Sequence, residues 1–344
     1  MKITDQTIEK ILSYYGIREP VISRNTLVDI DQPYQQTRAV KLYIRLGLPS
    51  GPVVLKLLRL PMCSDDTPER QSVLSEAFRT HGLPTPECLP LVSGTPGSLY
   101  VTSICIDGLD YLVKLEADAG AAVAVPDESL ATVLGRLLGK MHRISEREQL
   151  SVGPGAFYRE FSERNTAYDL LWSRCGTDFL PTEALNRIRE LYCQRMAILR
   201  EGFPTLPRFA VQGDLYYMNL TKSGAEYRVI DYDRMGNEAL LTDLVITWHR
   251  FWFDPHVFAP ERGTAADRIQ REHRLWELFY SAYCEQRKLT EPEYALSTCA
   301  YQLLGSVYGT RMLAAAAYAG QKELAASLLP EVESILTRPC SFAR

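Results

Sequence analysis

Residues 211–220 read VQGDLYYMNL, and residues 229–233 read VIDYD. The first stretch places Asp214 and Asn219 five positions apart, a spacing at which a tight loop directs both side chains into one pocket. The apolar pair Val229–Ile230 predicts a buried strand that delivers Asp231 to the same place. Taken alone, the first stretch also fits an ordinary polar turn, so the rest of the chain has to decide between the two interpretations.

The oxygen atoms of these side chains favour one class of chemistry. Carboxylate and amide oxygens are hard ligands that suit Mg²⁺ better than zinc or copper. Mg²⁺ usually keeps few protein ligands and takes the others from water and phosphate, so Asn219 and Asp231 with a nucleotide would suffice. Asp214 is then available to accept or orient a hydroxyl that attacks a phosphoryl group.

Length and composition set the frame for this hypothesis. With 344 residues, 46% hydrophobic and 23% charged, the chain has the size and composition of a globular protein with two packed lobes. A net charge of −4 argues against nucleic-acid binding. The chain shows neither a signal peptide nor an apolar run of ~18 residues, so no membrane partner is expected. Its eight cysteines include no CxxC pair and its five histidines no HxxxH or HxH pair, which predicts free thiols in a reducing cytoplasm and no His-ligated metal.

Pattern changes along the chain predict an α+β architecture. Short β-like runs fill the first hundred residues, with a hairpin at PSG (49–51), a capped helix over 67–82 and a strand over 98–106 that stops at Asp107–Gly108. Helical periodicity dominates afterwards. We therefore expect a small β-rich lobe at 1–106 and a larger, mainly helical lobe at 107–344. Helices are predicted at 128–144, 159–175, 182–202, 241–253, 265–287, 291–316 and 321–336.

A lysine in the first lobe completes the constellation. The run PVVLKLLRL places Lys56 on a strand among apolar neighbours, and the following helix carries Glu69 and Glu76. An ion pair between such a lysine and a helix glutamate holds the ammonium against nucleotide phosphates. Both glutamates lie on the same helix face, and we favour Glu69 because it is nearer the helix start. The alternative is a solvated lysine at a sheet edge.

In order along the chain, these features resemble the aminoglycoside phosphotransferase and choline kinase superfamily. The matching anchors run from about residue 26 to 245 and include Lys56, GLPTPE, ICIDG, LGRLLGKMH, QGDLYYMN and VIDYD. The resemblance implies a two-lobed, protein-kinase-like fold, with a nucleotide-binding N-terminal lobe and a catalytic, substrate-binding C-terminal lobe. It also implies an activity: phosphoryl transfer from a nucleotide to a small molecule.

The resemblance also implies roles for individual residues. Asp214 would be the catalytic aspartate, and Asn219 with Asp231 would hold Mg²⁺. Lys56, paired with Glu69, would contact the α- and β-phosphates. Backbone groups from Ile104 to Ile106 would bind the purine at the hinge between the lobes. Two further positions fit the family pattern: Asp243 in LLTDLV, expected to brace the catalytic loop, and Asp233, for which no role follows.

Two departures from the family pattern stand out. Gln212 replaces the usual His before Gly-Asp, although its amide can supply the same bracing hydrogen bonds. The segment DQPYQQTR (31–38), where a phosphate-covering loop is expected, has no glycine. The chain also has no GxxxxGK[ST] loop, which excludes the Walker class of kinases.

These observations favour one function over two alternatives. The sequence predicts a kinase that transfers the γ-phosphoryl group of ATP or GTP to a hydroxyl of a small acceptor. Candidate acceptors are an aminoglycoside, another antibiotic or an amino alcohol, and antibiotic resistance is the expected biological setting. The main alternative is a catalytically silent, kinase-like binding protein of the spore-coat type. A protein kinase is disfavoured because 145–205 is a large helical insertion and no APE-like segment follows VIDYD.

Overall fold

The computed structural model describes residues 3–34, 37–59, 66–155, 182–259, 263–337, 340 and 342. Its elements form two compact units by their internal packing. Unit 1 comprises Met1–Ala122 and Thr221–Asp233, and unit 2 comprises Val123–Leu220 and Arg234–Arg344. The predicted helix at 159–175 lies outside the described residues.

The strands lie mostly in unit 1. Their bounds are β1 Ser23–Tyr34, β2 Thr37–Gly47, β3 Val53–Arg59, β4 Val101–Ile106, β5 Leu109–Ala117, β6 Ala121–Ala122, β7 Arg208–Val211, β8 Leu220–Ser223, β9 Glu226–Val229 and β10 Gly236–Ala239. The helices are α1 Asp5–Tyr14, α2 Thr67–Thr80, α3 Leu130–Arg147, α4 Thr182–Gly202, α5 Leu240–Trp252, α6 Pro255–Phe258, α7 Ala265–Cys284, α8 Glu291–Tyr318 and α9 Lys322–Thr337.

The main sheet of unit 1 is antiparallel, with strand order β1-β2-β3-β5-β4. The predicted hairpin at PSG is confirmed, since Leu46 pairs with Val53 across it. The segment 31–38 contributes to β1 and β2, and its residues 35 and 36 lie outside the described part. Side chains of β3 alternate between the two faces of the sheet, and both faces are buried. Leu55 and Leu57 join a core formed with α1.

The turn at Asp107–Gly108 differs from its predicted role. Both residues have left-handed φ angles, 51° and 74°, and they join Ile106 to Leu109 within one hairpin. An Asp-Gly pair is favoured in such two-residue turns because positive φ costs Gly and Asp little. The sheet therefore continues through β5, and unit 1 extends to Ala122 instead of ending at the predicted boundary of 106.

A later part of the chain returns to unit 1. Strands β8 and β9 form a three-stranded sheet with β6, in the order β6-β8-β9. The Val229 N–H donates to the Pro84 carbonyl at 2.8 Å, and the Thr85 hydroxyl donates to the Val229 carbonyl at 2.8 Å. These bonds fix the buried end of β9, and hence the start of VIDYD, to the segment after α2.

Unit 2 is mainly helical, as predicted, and adds the two-stranded sheet β7-β10. Helix α5 is buried along nearly its whole length, and Trp248 packs its ring against Trp276 and Phe279 of α7. Helices α3 and α7 approach closely at Gly135. A Cβ atom at this position would overlap the Phe279 carbonyl, so the approach requires glycine. Within the described residues, no helix is both long and apolar enough to cross a membrane.

The predicted fold class is therefore confirmed. A β-rich N-terminal unit and a mainly helical remainder form an α+β protein, as the change of periodicity near residue 107 indicates. The assignment of nucleotide binding to the first lobe and catalysis to the second stays a prediction.

Candidate active site

The loop that carries Asp214 follows β7 in unit 2. Gly213 has a φ of 77°, and a Cβ atom there would overlap the Arg234 carbonyl, so both backbone angle and space require glycine. Gln212 is fully buried, and its side-chain oxygen accepts the Asp214 N–H at 2.8 Å. The bracing expected from Gln212 is thus present: the amide holds the backbone of Asp214 without an imidazole.

Asn219 lies next to Asp214, as the five-residue spacing predicts. A short 3-10 turn over Tyr217–Asn219 brings its amide back toward the loop. The Asn219 Nδ2 donates to the Asp214 carbonyl at 2.9 Å and to its Oδ2 at 3.1 Å. Because the amide nitrogen is engaged in these two bonds, the amide oxygen is the atom that Asn219 offers to a cation.

An arginine that the sequence reasoning missed contacts Asp214. The guanidinium of Arg250, on α5, forms an ion pair with the Asp214 carboxylate and lies 3.9 Å from the centroid of the Tyr216 ring. The Arg234 Nε is 4.0 Å from the Asp214 Oδ2. Arg250 lies in the aromatic-rich stretch HRFWFDPH (249–256), which carries none of the residues assigned to the site from the sequence. Arg250 is two positions from both Trp248 and Trp252, so helical periodicity places it on a different face of α5 from these buried rings. That periodicity was the available signal for Arg250.

In unit 1, Lys56 is buried on the face of the sheet opposite the α1 core. Its Nζ lies 2.6 Å from Glu116 Oε2, and Lys114 Nζ lies 3.1 Å from Glu116 Oε1. Lys56 and Lys114 are paired residues of β3 and β5, and Glu116 lies two residues further along β5 on the same face. Burial alone would raise the pKa of Glu116, but the two ammonium groups outweigh it and hold that pKa at about 2.

The predicted pairing of Lys56 with Glu69 is wrong. Glu69 accepts the backbone N–H groups of Leu99, Tyr100 and Val101 at 2.7, 3.1 and 2.8 Å, so it anchors the start of β4. The alternative, Glu76, accepts the Cys88 N–H at 2.6 Å and pairs with Arg79. Both helix carboxylates serve backbone positions, and the partner of Lys56 comes from the neighbouring strand. Charge pattern along one helix could not reveal this, because strand pairing decides it.

Asp231 and Asp233 share a lysine. Lys41 Nζ, on β2, lies 3.0 Å from Asp231 Oδ2 and 2.7 Å from Asp233 Oδ2. Asp231 has a left-handed φ of 61°, an uncommon conformation for a residue other than glycine and one often found at functional sites. Burial acts to raise the pKa of Asp231, yet Lys41 and Lys56 lower it to about 2. Burial and the Asp231 charge raise the pKa of Asp233.

Ile104 and Ile106, the predicted purine contacts, lie in β4. The Ile104 side chain is buried in the core of unit 1, and Ile106 packs against that core. Because β4 returns through the Asp107–Gly108 turn into β5, these residues do not lie where the chain passes from unit 1 to unit 2. That passage follows Ala122.

Asp243 is connected to the Asp214 loop through a neighbouring helix. Its Oδ2 lies 2.9 Å from His142 Nε2, and the His142 Nδ1 lies 3.0 Å from the Tyr283 hydroxyl. The residue before His142, Met141, has its sulfur 3.5 Å from the Gln212 N–H. Asp243 thus fixes α3 beside Gln212, and His142 is the link.

Comparison with known proteins gives the family of the chain. A family model described as APH, phosphotransferase enzyme family, matches residues 43–279. The chain belongs to the APH phosphotransferase family. The match includes Lys56, Glu116, Asp214, Asn219 and Asp231, and it ends within α7. A search of the curated proteins finds no match.

Solved structures share the fold of this family member at low sequence identity. An amicoumacin kinase in complex with AMP-PNP and Ca²⁺ aligns with a TM-score of 0.62 and 14% identity, covering 98% of this chain and 95% of that one. A microcompartment-associated aminopropanol kinase aligns with a TM-score of 0.63 and 14% identity, covering 97% and 98%. An ethanolamine kinase of Plasmodium vivax aligns with a TM-score of 0.51 and 10% identity, covering 97% and 93%.

Proposed function

We propose that this APH family protein is a small-molecule kinase that transfers the γ-phosphoryl group of ATP or GTP to an acceptor hydroxyl. The observation that carries the proposal is the environment of Asp214. Its backbone is held by Gln212 and its side chain by Asn219, on a glycine turn that no other residue fits. A carboxylate fixed in this way suits a group that must meet a hydroxyl proton in a defined direction.

The proposed reaction moves one phosphoryl group and one proton. The acceptor hydroxyl gives its proton to the Asp214 carboxylate as its oxygen forms a bond to the γ-phosphorus. The bond between that phosphorus and the bridging oxygen breaks, and its electron pair stays on the departing nucleoside diphosphate. Lys56, paired with Glu116, neutralises phosphate charge, which is the main contribution a protein makes to phosphoryl transfer.

The residues present fit Mg²⁺. In unit 1 the Asp231 carboxylate already accepts a cation, the Lys41 ammonium, and in unit 2 Asn219 offers its amide oxygen. These oxygens are the ligands that Mg²⁺ prefers, and we assign both residues to it. A bound Mg²⁺ would neutralise charge on the nucleotide phosphates. Among the described residues, no group of three or more His, Cys, Asp or Glu side chains forms a metal cluster, and water and phosphate would supply ligands that the protein does not.

The proposed purine contacts depend on where the chain passes from unit 1 to unit 2. The resemblance placed the purine on the backbone from Ile104 to Ile106 because the passage between lobes was expected there. Since that passage follows β5, we move the proposed purine contacts to backbone groups within 117–122. A competition assay between ATP and GTP decides whether the base is adenine or guanine.

For the acceptor we propose hydroxyl-bearing antibiotics, amino sugars and amino alcohols, with antibiotic resistance as the setting if an antibiotic is phosphorylated. The names of the structural neighbours, an amicoumacin kinase and an aminopropanol kinase, fall in these classes. Arg250 adds a condition, because its guanidinium already contacts Asp214. An amino group of the acceptor therefore has to bind away from the Asp214 carboxylate. Free thiols at the six described cysteines suit the reducing cytoplasm that we propose as its location.

The bond from Asp214 N–H to Gln212 weakens the case for a silent binding protein, since the residue in place of the usual His performs a bracing role. A screen of ATP and GTP consumption with thermal-shift detection tests the choice, using the acceptor classes above with Mg²⁺. Acceptor-dependent turnover that Asp214→Ala abolishes supports the kinase. Acceptor binding without turnover by any nucleotide would favour the silent alternative.

Calorimetry tests the metal assignment separately. We expect Asp231→Ala to remove the dependence of nucleotide binding on Mg²⁺, measured with the metal and with a chelator. Asp110→Ala, an exposed aspartate on β5, is the matched control and should behave as the wild type. Nucleotide binding by Asp231→Ala that still strengthens with Mg²⁺ would contradict the role of Asp231.

A further inference from the structure

We propose that Lys41 is an internal counter-ion of the metal site: its ammonium holds Asp231 and Asp233 when no metal is bound, and a divalent cation displaces it. Asp233 is then the second carboxylate of that site. This inference rests on the proposed function, because it takes Asp231 to be a metal ligand. It adds a role for two residues, Lys41 and Asp233, to which neither the family resemblance nor the comparisons give one.

The geometry supports a shared cation position. One nitrogen atom, Lys41 Nζ, lies 3.0 Å from the Asp231 Oδ2 and 2.7 Å from the Asp233 Oδ2. The Asp233 N–H also donates to the Asp231 Oδ1 at 3.3 Å, which keeps the two carboxylates on the same side of the turn. The left-handed backbone at Asp231 produces that turn. Two carboxylates converging on one cation form the kind of oxygen site that divalent metals use.

The charges explain why the lysine and the metal exclude each other. Lys41 contacts the Oδ2 atom of each carboxylate, and Asp231 and Asp233 are the residues that would hold the metal. An ammonium and a divalent ion a few ångströms apart repel each other strongly in a partly buried site. Without any cation, two neighbouring carboxylates would repel each other as well. Lys41 therefore stabilises the metal-free protein and weakens metal binding in the absence of nucleotide.

The position of Lys41 indicates where its ammonium finds a new partner. The Tyr43 ring centroid is 5.1 Å from Lys41 Nζ and 5.0 Å from Lys56 Nζ, so both lysines flank one ring on one face of the sheet. Once displaced, the Lys41 ammonium is a short distance from the group assigned to the phosphates. Nucleotide phosphates would then stabilise the displaced ammonium and so strengthen metal binding.

Lys41 lies on β2, three residues after the glycine-free segment 31–38. That segment belongs largely to strands β1 and β2, and Lys41 follows it on β2. A charged side chain from the strand supplies a phosphate donor where backbone amides of a glycine-rich loop were expected. The coupling of metal and nucleotide through Lys41 is therefore the property to measure.

The experiment uses the full chain and Mn²⁺ as the probe, with binding followed by electron paramagnetic resonance. In the absence of nucleotide, Lys41→Met should bind Mn²⁺ at least roughly tenfold more tightly than the wild type, because a repelling charge is removed. Lys41→Arg keeps the charge and should stay near the wild type. Lys222→Met, which removes an exposed lysine of unit 1 on β8, is the matched control. Asp233→Asn should weaken Mn²⁺ binding.

A second measurement needs no substitution. Amine acetylation of the wild type, read by peptide mass spectrometry, should modify Lys41 several-fold faster with Mn²⁺ than with a chelator, while Lys222 stays unchanged. Addition of ADP should tighten Mn²⁺ binding more in the wild type than in Lys41→Met. Circular dichroism verifies that each variant is folded. If Lys41→Met does not fold, the acetylation rates of the wild type still test the displacement of Lys41.

The outcomes separate this inference from the proposed function. If Asp231→Asn abolishes Mn²⁺ binding but Lys41→Met leaves it unchanged or weaker, the counter-ion role is wrong and the metal assignment stands. If neither the wild type nor Lys41→Met binds Mn²⁺, the metal assignment of the proposed function fails, and the inference fails with it. If Mn²⁺ binds but the acetylation rate of Lys41 does not change, the proposed displacement of Lys41 is also wrong.

Discussion

Lys56 and Glu116 form a buried ion pair across two neighbouring strands, with 2.6 Å between Nζ and Oε2. The second oxygen of Glu116 receives Lys114 at 3.1 Å, so one carboxylate of β5 holds two ammonium groups. A helix glutamate was expected in this role, and the structure assigns it to a strand. The arrangement pairs the buried Lys56 with a carboxylate, and a buried charge needs such a partner.

The first prediction concerns the stability that Glu116 provides. Glu116→Gln leaves two neighbouring ammonium groups buried without their carboxylate, and we expect a loss of about 3–5 kcal/mol at pH 7. The pKa of Glu116 is lowered from 4.5 to about 2. Its contribution is therefore complete above about pH 4.5 and is lost as the pH falls toward 2. Urea unfolding of wild type and variant between pH 7 and pH 3 measures the difference, which should shrink below pH 4.5.

Glu226→Gln is the matched control for that experiment. Glu226 is exposed and pairs with Arg228 at 2.9 Å on the surface of the same unit. Its removal should cost less than about 1 kcal/mol, as is usual for surface ion pairs. An equal loss for both variants, or a difference for Glu116→Gln that does not change with pH, would contradict the buried-pair argument.

The second prediction concerns Lys56 itself. Lys56→Met keeps the length of the side chain but removes the charge assigned to the phosphates. We expect kcat to fall by about 100-fold or more, since such cations contribute mainly to charge in the transition state. Steady-state kinetics measure it, with Lys222→Met as an exposed lysine control. Full turnover by a folded Lys56→Met protein would rule the assignment out.

The third prediction concerns Asp214. Asp214→Ala removes the proposed proton acceptor, and kcat should fall by roughly 10²–10⁴-fold. Nucleotide affinity in the presence of Mg²⁺ should stay nearly intact, because Asp214 is assigned to the acceptor and not to the nucleotide. Single-turnover kinetics and calorimetry separate the two effects. Unchanged turnover would sink the assignment of Asp214 as the catalytic aspartate.

The fourth prediction concerns Gln212, which positions Asp214 without being assigned any contact with substrate. Gln212→Ala leaves the partly buried Asp214 N–H without its 2.8 Å acceptor, a loss of about 1 kcal/mol. We expect kcat to fall about tenfold, because misorientation of a reacting group is costly. KM for the nucleotide should not change. Gln212→His, with the residue usual in the family, should restore most of kcat; failure of that rescue would count against a bracing role.

The fifth prediction concerns the support of this loop from α3. Asp243→Ala leaves the fully buried His142 without its 2.9 Å partner, and we expect a loss of about 1–3 kcal/mol in the free energy of unfolding. Because His142 adjoins Met141, which contacts Gln212, kcat should fall as well. Asp254→Ala, an N-cap residue outside this chain of contacts, is the control and should lower stability without lowering kcat.

Sequence alone determined the fold class and the local chemistry of the Asp214 loop. Alternation and helical periodicity report burial directly, so the hairpin at PSG, α2 and the C-terminal helices follow from residue order. The spacing of Asp214 and Asn219 is short enough for one loop to bring them together, and the structure shows hydrogen bonds between them. Gln212 belongs to the same loop, which is why its bracing hydrogen bond to Asp214 was also predictable.

Only the tertiary structure decided which distant residues surround these groups. Glu116 replaced Glu69 as the partner of Lys56 because pairing of β3 with β5 sets that distance, and no local pattern encodes the register. Likewise, Lys41 meets Asp231 and Asp233 although 190 positions separate it from Asp231. Arg250 meets Asp214 through the packing of α5. Ion pairs between distant residues depend on how elements pack, whereas burial periodicity is written along each element.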